Sequence, residues 1–154
     1  MNRTLRPLIA SGMLLGIGMG GFLDGIVFHQ LLQFHNMLSA KYPPTSLVNV
    51  EVNMFWDGLF HLLTWTVTLA GVVLLWRTVR RPDVLLSDRA LLAAAASGWG
   101  LFNLVEGVIN HYILEIHHVR EVSGQSLLDV AFLASGLLLF TIGVLMLRSA
   151  TGVK

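Results

Sequence analysis

The chain has 154 residues, 55% of them hydrophobic and 12% charged, with a mean hydropathy of +0.71, far from the balance of a water-soluble domain. Ten Lys and Arg against nine Asp and Glu leave a formal charge of +1, with no basic block long enough to follow a phosphate backbone, so nucleic acid is not expected as a partner. The lack of Cys excludes disulfides, thiolate zinc sites and iron–sulfur clusters, leaving any metal to His, carboxylate, amide or Met.

A helical span takes about 20 mostly apolar residues, and the chain offers four such stretches. The first is predicted over residues 8–34. Arg3 and Arg6 precede it like the n-region of a signal peptide, but no small-residue cleavage site follows and the apolar pattern continues past Asp24, so it reads as a retained helix. Residues 36–53 carry Pro43, Pro44 and turn-forming Ser, Thr and Asn, and are predicted as an exposed loop. The second span, residues 55–76, ends in Arg77, Arg80, Arg81 and Pro82, where proline prevents simple continuation. The third is predicted over 90–116 and the fourth over 127–147. The expectation is an all-α polytopic membrane four-helix bundle, one transmembrane domain over residues 1–154.

Short cytoplasmic loops collect Lys and Arg. Arg3, Arg6, Arg77, Arg80, Arg81, Arg89, Arg148 and Lys154 fall on one side, against Lys41 and Arg120 on the other. Both termini are therefore expected in the cytoplasm of a bacterium, in the inner membrane, with residues 36–53 and 117–125 facing the periplasm or exterior.

A shift of 82 residues aligns Gly16 with Gly98, Gly18 with Gly100, Asp24 with Glu106, Gly25 with Gly107, His29 with His111 and His35 with His117. The shared pattern is G-x-G-x5-[DE]-G-x3-H-x2-L-x2-H. A shift of 72 pairs Asp57 with Asp129, Phe60 with Phe132 and Gly71 with Gly143. The two shifts predict two helical hairpins of the same orientation, a parallel internal repeat.

An ionisable group inside a span costs ~2.5 to 3.5 kcal/mol and by default marks function. Asp24, His29, Asp57, His61, Glu106 and His111 all lie in the outward half. At ~1.5 Å per residue, His29, His61 and His111 sit within ~10 to 12 Å of the outer surface, which predicts three imidazoles from three helices at one level. Asp57 and His61, four residues apart, share a helical face and are predicted to chelate together. Asp24 and Glu106 stand five residues deeper than their His, about 140° around an α-helix, and are expected beside or below the site as bridging groups or proton carriers. Glu115-x2-His118 resembles the Glu-x-x-His ligands of ferritin-like proteins, but lies at the water boundary. Glu115, His35, His117 and His118 are therefore candidates for a peripheral or transfer site. Asp129, near the start of the fourth span, is expected to cap its first turn.

Imidazole with carboxylate suits copper, iron, zinc or manganese, and three imidazoles leave an open position for chemistry. The leading expectation is a His/carboxylate metal site, with enough ligands for two ions, doing redox or oxygen-linked chemistry with copper or iron, zinc being the further choice. Three alternatives stand beside it: haem b held by His29 and His111, a metal carrier that captures ions through His35, His117 and His118, and a non-catalytic scaffold using polar interhelical packing. Besides the lipid bilayer and a metal ion, the expected partners are a second copy of the chain or a membrane complex.

The segments Gly21 to Gln30, Asp57 to His61, Asn103 to Gly107, His111 and His117 to Glu121 together resemble a bacterial family of four-span membrane proteins classed as a domain of unknown function. The resemblance covers essentially the whole chain. It implies the four-span fold and no established activity. Because the family's members are often encoded beside cytochrome oxidase assembly proteins, the resemblance also points toward copper or respiratory metal handling, and so toward copper binding and delivery as an alternative.

Overall fold

A computed structural model describes residues 4–121 and 124–151. Arg3 and Lys154, two of the residues used for orientation, lie outside them. The chain forms helices α1 (Arg6–Asp24), α2 (Leu47–Val79), α3 (Asp88–Glu106) and α4 (Leu127–Thr151). α1 and α3 each run on into a π-helical turn, Gly25–Leu31 and Gly107–Ile113. The four segments long and apolar enough to cross a membrane are Arg6–Leu31, Leu47–Val79, Asp88–Ile113 and Leu127–Ala150.

The largest boundary correction is at α2, which begins at Leu47 and not at residue 55. Ser46 supplies the start signal, its side chain accepting from Asn49 N at 3.3 Å, as an N-cap does. Asn49 and Asn53, expected in the loop, instead lie on the helix and tie the loop down. Asn53 accepts from Leu38 N and donates to Tyr42 O. The first and third spans end earlier than expected, at Leu31 and Ile113, because Gln33 and Glu115 adopt left-handed backbone (φ 49° and 48°) and turn the chain back on itself.

Glycine contacts define the packing. A Cβ on Gly16 would strike the carbonyl of Ala95, and one on Gly98 the carbonyl of Met13. Because Gly12 meets Leu91 and Ala94 while Gly20 meets Trp99 and Phe102, α1 and α3 run parallel at close range, as small-residue faces allow in membranes. Gly18 meets Thr68 and Gly25 meets His61, so α2 runs antiparallel to α1. Gly100 meets Phe140 and Gly107 meets Phe132, so α4 does the same on α3. The backbone order is α2, α1, α3, α4, a central pair flanked on each side rather than a square bundle. At one end Thr4 N donates to Asp83 O and Leu85 N to Thr4 O, binding the α2–α3 loop to the start of α1. Arg6, Arg77, Arg80, Arg81, Arg89 and Arg148 belong to this end, and the histidine cluster to the other.

Candidate metal centre

Where α1 and α3 pass into their π turns, four imidazoles meet. His29 is 2% exposed, His35 3%, His111 1% and His117 1%. The rings of His35 and His117 stack at 4.5 Å with 6° between planes, His29 lies 4.4 Å from His35, and His111 lies 5.1 Å from His117.

The expectation of a 140° separation between carboxylate and His is corrected by the π turn. Its i→i+5 hydrogen bonds close a wider turn than the α-helix, so residues five apart come back to the same face. Asp24 Oδ2 thus lies 3.4 Å from His29 Nε2, and Glu106 Oε1 lies 3.5 Å from His111 Nε2. The same carboxylate oxygen of Glu106 lies 2.8 Å from His117 Nε2. The left-handed residues do the rest. By reversing the chain they carry His35 and His117 back into the core instead of leaving them at the water boundary.

The other nitrogen of three rings is held from outside by a hydrogen bond, and that of His111 lies beside a carboxylate without forming one. His29 Nδ1 donates to Asp57 Oδ1 at 2.8 Å, His35 Nδ1 to Val119 O at 2.9 Å and His117 Nδ1 to Met37 O at 3.0 Å. His111 Nδ1 lies 3.1 Å from Asp129 Oδ1. Met37 N in turn donates to Asp57 Oδ1, and Val119 N to Asp129 Oδ1. With the proton on Nδ1, Nε2 turns its lone pair toward the shared centre, the arrangement by which outer groups fix a metal-binding imidazole. Among the described residues His29 Nε2, His35 Nε2 and Glu106 Oε2 are buried without a hydrogen-bond partner. Burial, with the nearby His117 and His29, pushes the His35 imidazole down to about 2, which keeps it neutral.

These donors fit a metal. Ligands bound at ~2.0–2.1 Å stand about 3 Å from one another around an ion, and the Nε2 to carboxylate separations of 2.8, 3.4 and 3.5 Å match such edges. Two groups have ligand atoms within 4.8 Å of one another: His29, His35 and His117, and Glu106, His111 and His117. His117 is common to both.

The structure does not bring the other expected residues into this cluster. His61 stays outside it: its Nδ1 donates to the carbonyl of Asp57 at 2.7 Å, and its Nε2 rests against Gly25. The expected Asp57–His61 chelate therefore does not form, and the Asp57 carboxylate is occupied by His29, Asn36 and Met37. Glu115 is exposed at the left-handed turn. His118 is buried beside the cluster, its Nδ1 3.8 Å from Asp129. Asp129 does meet Ser126 at the start of α4 as expected, and it also faces His111. That second contact was hidden in the sequence except through its alignment with Asp57.

The Asp57→Asn variant is expected to bind metal 10- to 100-fold more weakly, the usual cost of losing an outer-shell partner, with helix content unchanged. Competition with a chelator and circular dichroism check the two halves of this expectation.

A family model described as "Predicted membrane protein (DUF2243)" matches residues 11–150. The chain belongs to this family. The matched region contains the four clustered His, both deep carboxylates and both Asp residues behind them. Neither a curated protein nor a solved structure matches the chain.

Proposed function

We propose that this DUF2243 protein is a membrane metalloprotein whose centre, formed by His29, His35, His111 and His117 with Asp24 and Glu106, carries out redox or oxygen-linked chemistry. The observation that carries the reading is four buried rings, three of them fixed through Nδ1, around the unpartnered Nε2 atoms of His29 and His35 and beside two carboxylates. Copper and iron are favoured, because imidazole and carboxylate suit both and both change oxidation state, and zinc is the redox-inactive choice. Since one Nε2 binds one ion and His117 is common to both groups, the residues would hold one ion by part of the set or two ions sharing the remaining donors. When bound, the metal supplies Lewis acidity and electrons. The chain's own part is to keep the imidazoles oriented, to exclude bulk water, and to hold a proton at Asp24 or Glu106.

Haem b between His29 and His111 has less support. The His35 and His117 rings stand within 6.4 Å of both, in the space a macrocycle would need. Polar packing alone does not account for the unpartnered nitrogens at the centre.

The same reading places the protein in the bacterial inner membrane with the basic end in the cytoplasm and the centre toward the outside. It also treats the two hairpins as a duplicated unit. Several features recurring at the 82-residue shift support this: the π turns, the left-handed Gln33 and Glu115, and the exchanged bonds from His35 to Val119 and from His117 to Met37.

Elemental mass spectrometry on detergent-purified protein, with an optical spectrum of the same sample, tests the proposal. The expected result is one or two non-haem ions per protomer, lost in a His29/His35/His117 triple variant. A Soret band would transfer the proposal to haem, and protein free of metal after reconstitution would sink it.

One further observation favours metal delivery as the second reading. A polar cavity of about 410 Å³ on the outward side is lined by Gln33, His35, Asn36, Ser39 and Glu121, a route by which an ion reaches His35. Glu121→Gln is expected to slow metal loading several-fold while leaving the final metal content unchanged, measured as a time course of uptake. An unchanged rate would remove the cavity from the pathway.

A further inference from the structure

Two clefts reach the two deep carboxylates from the sides of the bundle, and they differ in character. The cleft at Asp24 has a volume of about 230 Å³ and, among apolar neighbours such as Phe28 and Trp99, a polar pair in which Asn103 Nδ2 donates to Ser135 Oγ at 3.2 Å. The cleft at Glu106 is larger, about 350 Å³, and is walled by Ile17, Phe60, Leu63 and Phe102. By the 82- and 72-residue shifts, Leu63 stands where the first cleft has Ser135, and Ile17 where it has Trp99. Both carboxylates are approached along mostly apolar walls, and the cleft at Glu106 lacks the polar pair found at Asp24.

Glu106 is 7% exposed and closes the inner end of the apolar cleft. Its Oε1 is engaged by His117 and Asn110, while its Oε2 has no partner among the described residues. A buried carboxylate oxygen calls for a donor. A lipid acyl chain has none to offer. Glu106 lies seven residues inside the outer end of its span at Ile113, about 10 Å deep at ~1.5 Å per residue, below the level of headgroup hydroxyls. The molecule that fits is small, dissolved in the bilayer, flat enough to lie against Phe60 and Phe102, and equipped with a hydroxyl.

We propose that the apolar cleft binds a membrane-dissolved hydroquinone or related phenol, with its ring among Phe60, Leu63 and Phe102 and its hydroxyl donating to Glu106 Oε2. This deepens the metal-centre reading by naming the class of molecule the centre meets, and it rests on that reading for any use of the ligand, while binding itself stands on the cleft.

The test uses full-length protein in nanodiscs, both metal-loaded and chelator-stripped, with decylubiquinol and its oxidised form decylubiquinone as probes in equilibrium dialysis. The expected result is one saturable site per protomer that prefers the hydroquinone by about tenfold or more, the worth of a hydrogen bond to a charged acceptor. Val105→Trp, which fills the cleft from a half-exposed lining position, should weaken binding about tenfold. Leu23→Trp, on the Asp24 cleft, should leave it unchanged. Leu63→Phe serves as the second cleft variant if Val105→Trp does not purify as a folded protein. Equal affinity for the two redox forms, uptake that only follows lipid content, or indifference to both cleft variants would overturn the proposal. Binding by protein that never holds metal would support the cleft while the metal reading fails. Absence of binding to fully metal-loaded protein would overturn the cleft alone.

Discussion

His117→Gln is expected to reduce bound metal from stoichiometric to less than about a tenth of protomers, while His61→Leu retains it. His117 belongs to both ligand groups, so its loss disables each at once and leaves the buried Glu106 without its closest partner at 2.8 Å. Removing a ligand common to both groups takes one donor from each at once, so neither can make good the loss. His61 donates only to its own helix, and Leu133 occupies the corresponding place on α4. Elemental analysis of the two purified variants separates this ligand set from the set suggested by helical depth alone. Metal lost from His61→Leu and kept by His117→Gln would reverse the assignment.

The second large effect is expected at the α1–α3 contact. Gly16→Ala and Gly98→Ala should each destabilise the folded bundle by about 1–3 kcal/mol, the usual cost of overpacking, and Gly98→Leu should prevent it from accumulating. The reason is that the added carbon meets backbone carbonyls, of Ala95 for Gly16 and of Met13 for Gly98, and backbone of a neighbouring helix yields less readily than a side-chain tip. Gly58 is the control. A Cβ there meets nothing within 4 Å, so Gly58→Ala should be neutral or gain up to about 1 kcal/mol from helix propensity. Unfolding in mixed micelles with increasing denaturing detergent measures all four. Equal behaviour of Gly58→Ala and Gly98→Ala would show that the close approach carries no energetic weight.

The spans were legible because four stretches of apolar residues separated by Pro, Ser and Arg admit few other readings. The deep carboxylates and His29 and His111 were legible for the same reason, standing out as polar residues in apolar surroundings. What was hidden is angular. Depth along a helix follows from counting, but direction around it depends on every preceding turn being an α turn. The π turns broke that assumption and brought Asp24 to His29 and Glu106 to His111. The exclusion of His35 and His117 from the centre had a second cause. Gln33 and Glu115 take up left-handed backbone, a state few non-glycine residues occupy, and nothing in their identity announces it. The matching shift of 82 residues was the one available signal, since it aligned His35 with His117 as faithfully as His29 with His111. His61 erred in the opposite sense, at a credible depth but without a counterpart at the 72-residue shift.

The π turns also set which kinds of sequence change the molecule can absorb. A turn of this type holds one residue more than the α turn it replaces, and each α-helical residue advances the chain by about 100°. Deleting one residue between Asp24 and His29 while the turn relaxes to α geometry would leave the pair four residues apart and still on one face, whereas inserting a residue would turn His29 about 100° away from Asp57. Substitution at Ile26 or Val27, whose side chains are not needed at the centre, changes only local packing. The segment thus tolerates new side chains at Ile26 and Val27 better than an added residue, while Phe28, stacked on His35 at 6.3 Å, should stay aromatic in relatives that keep this centre.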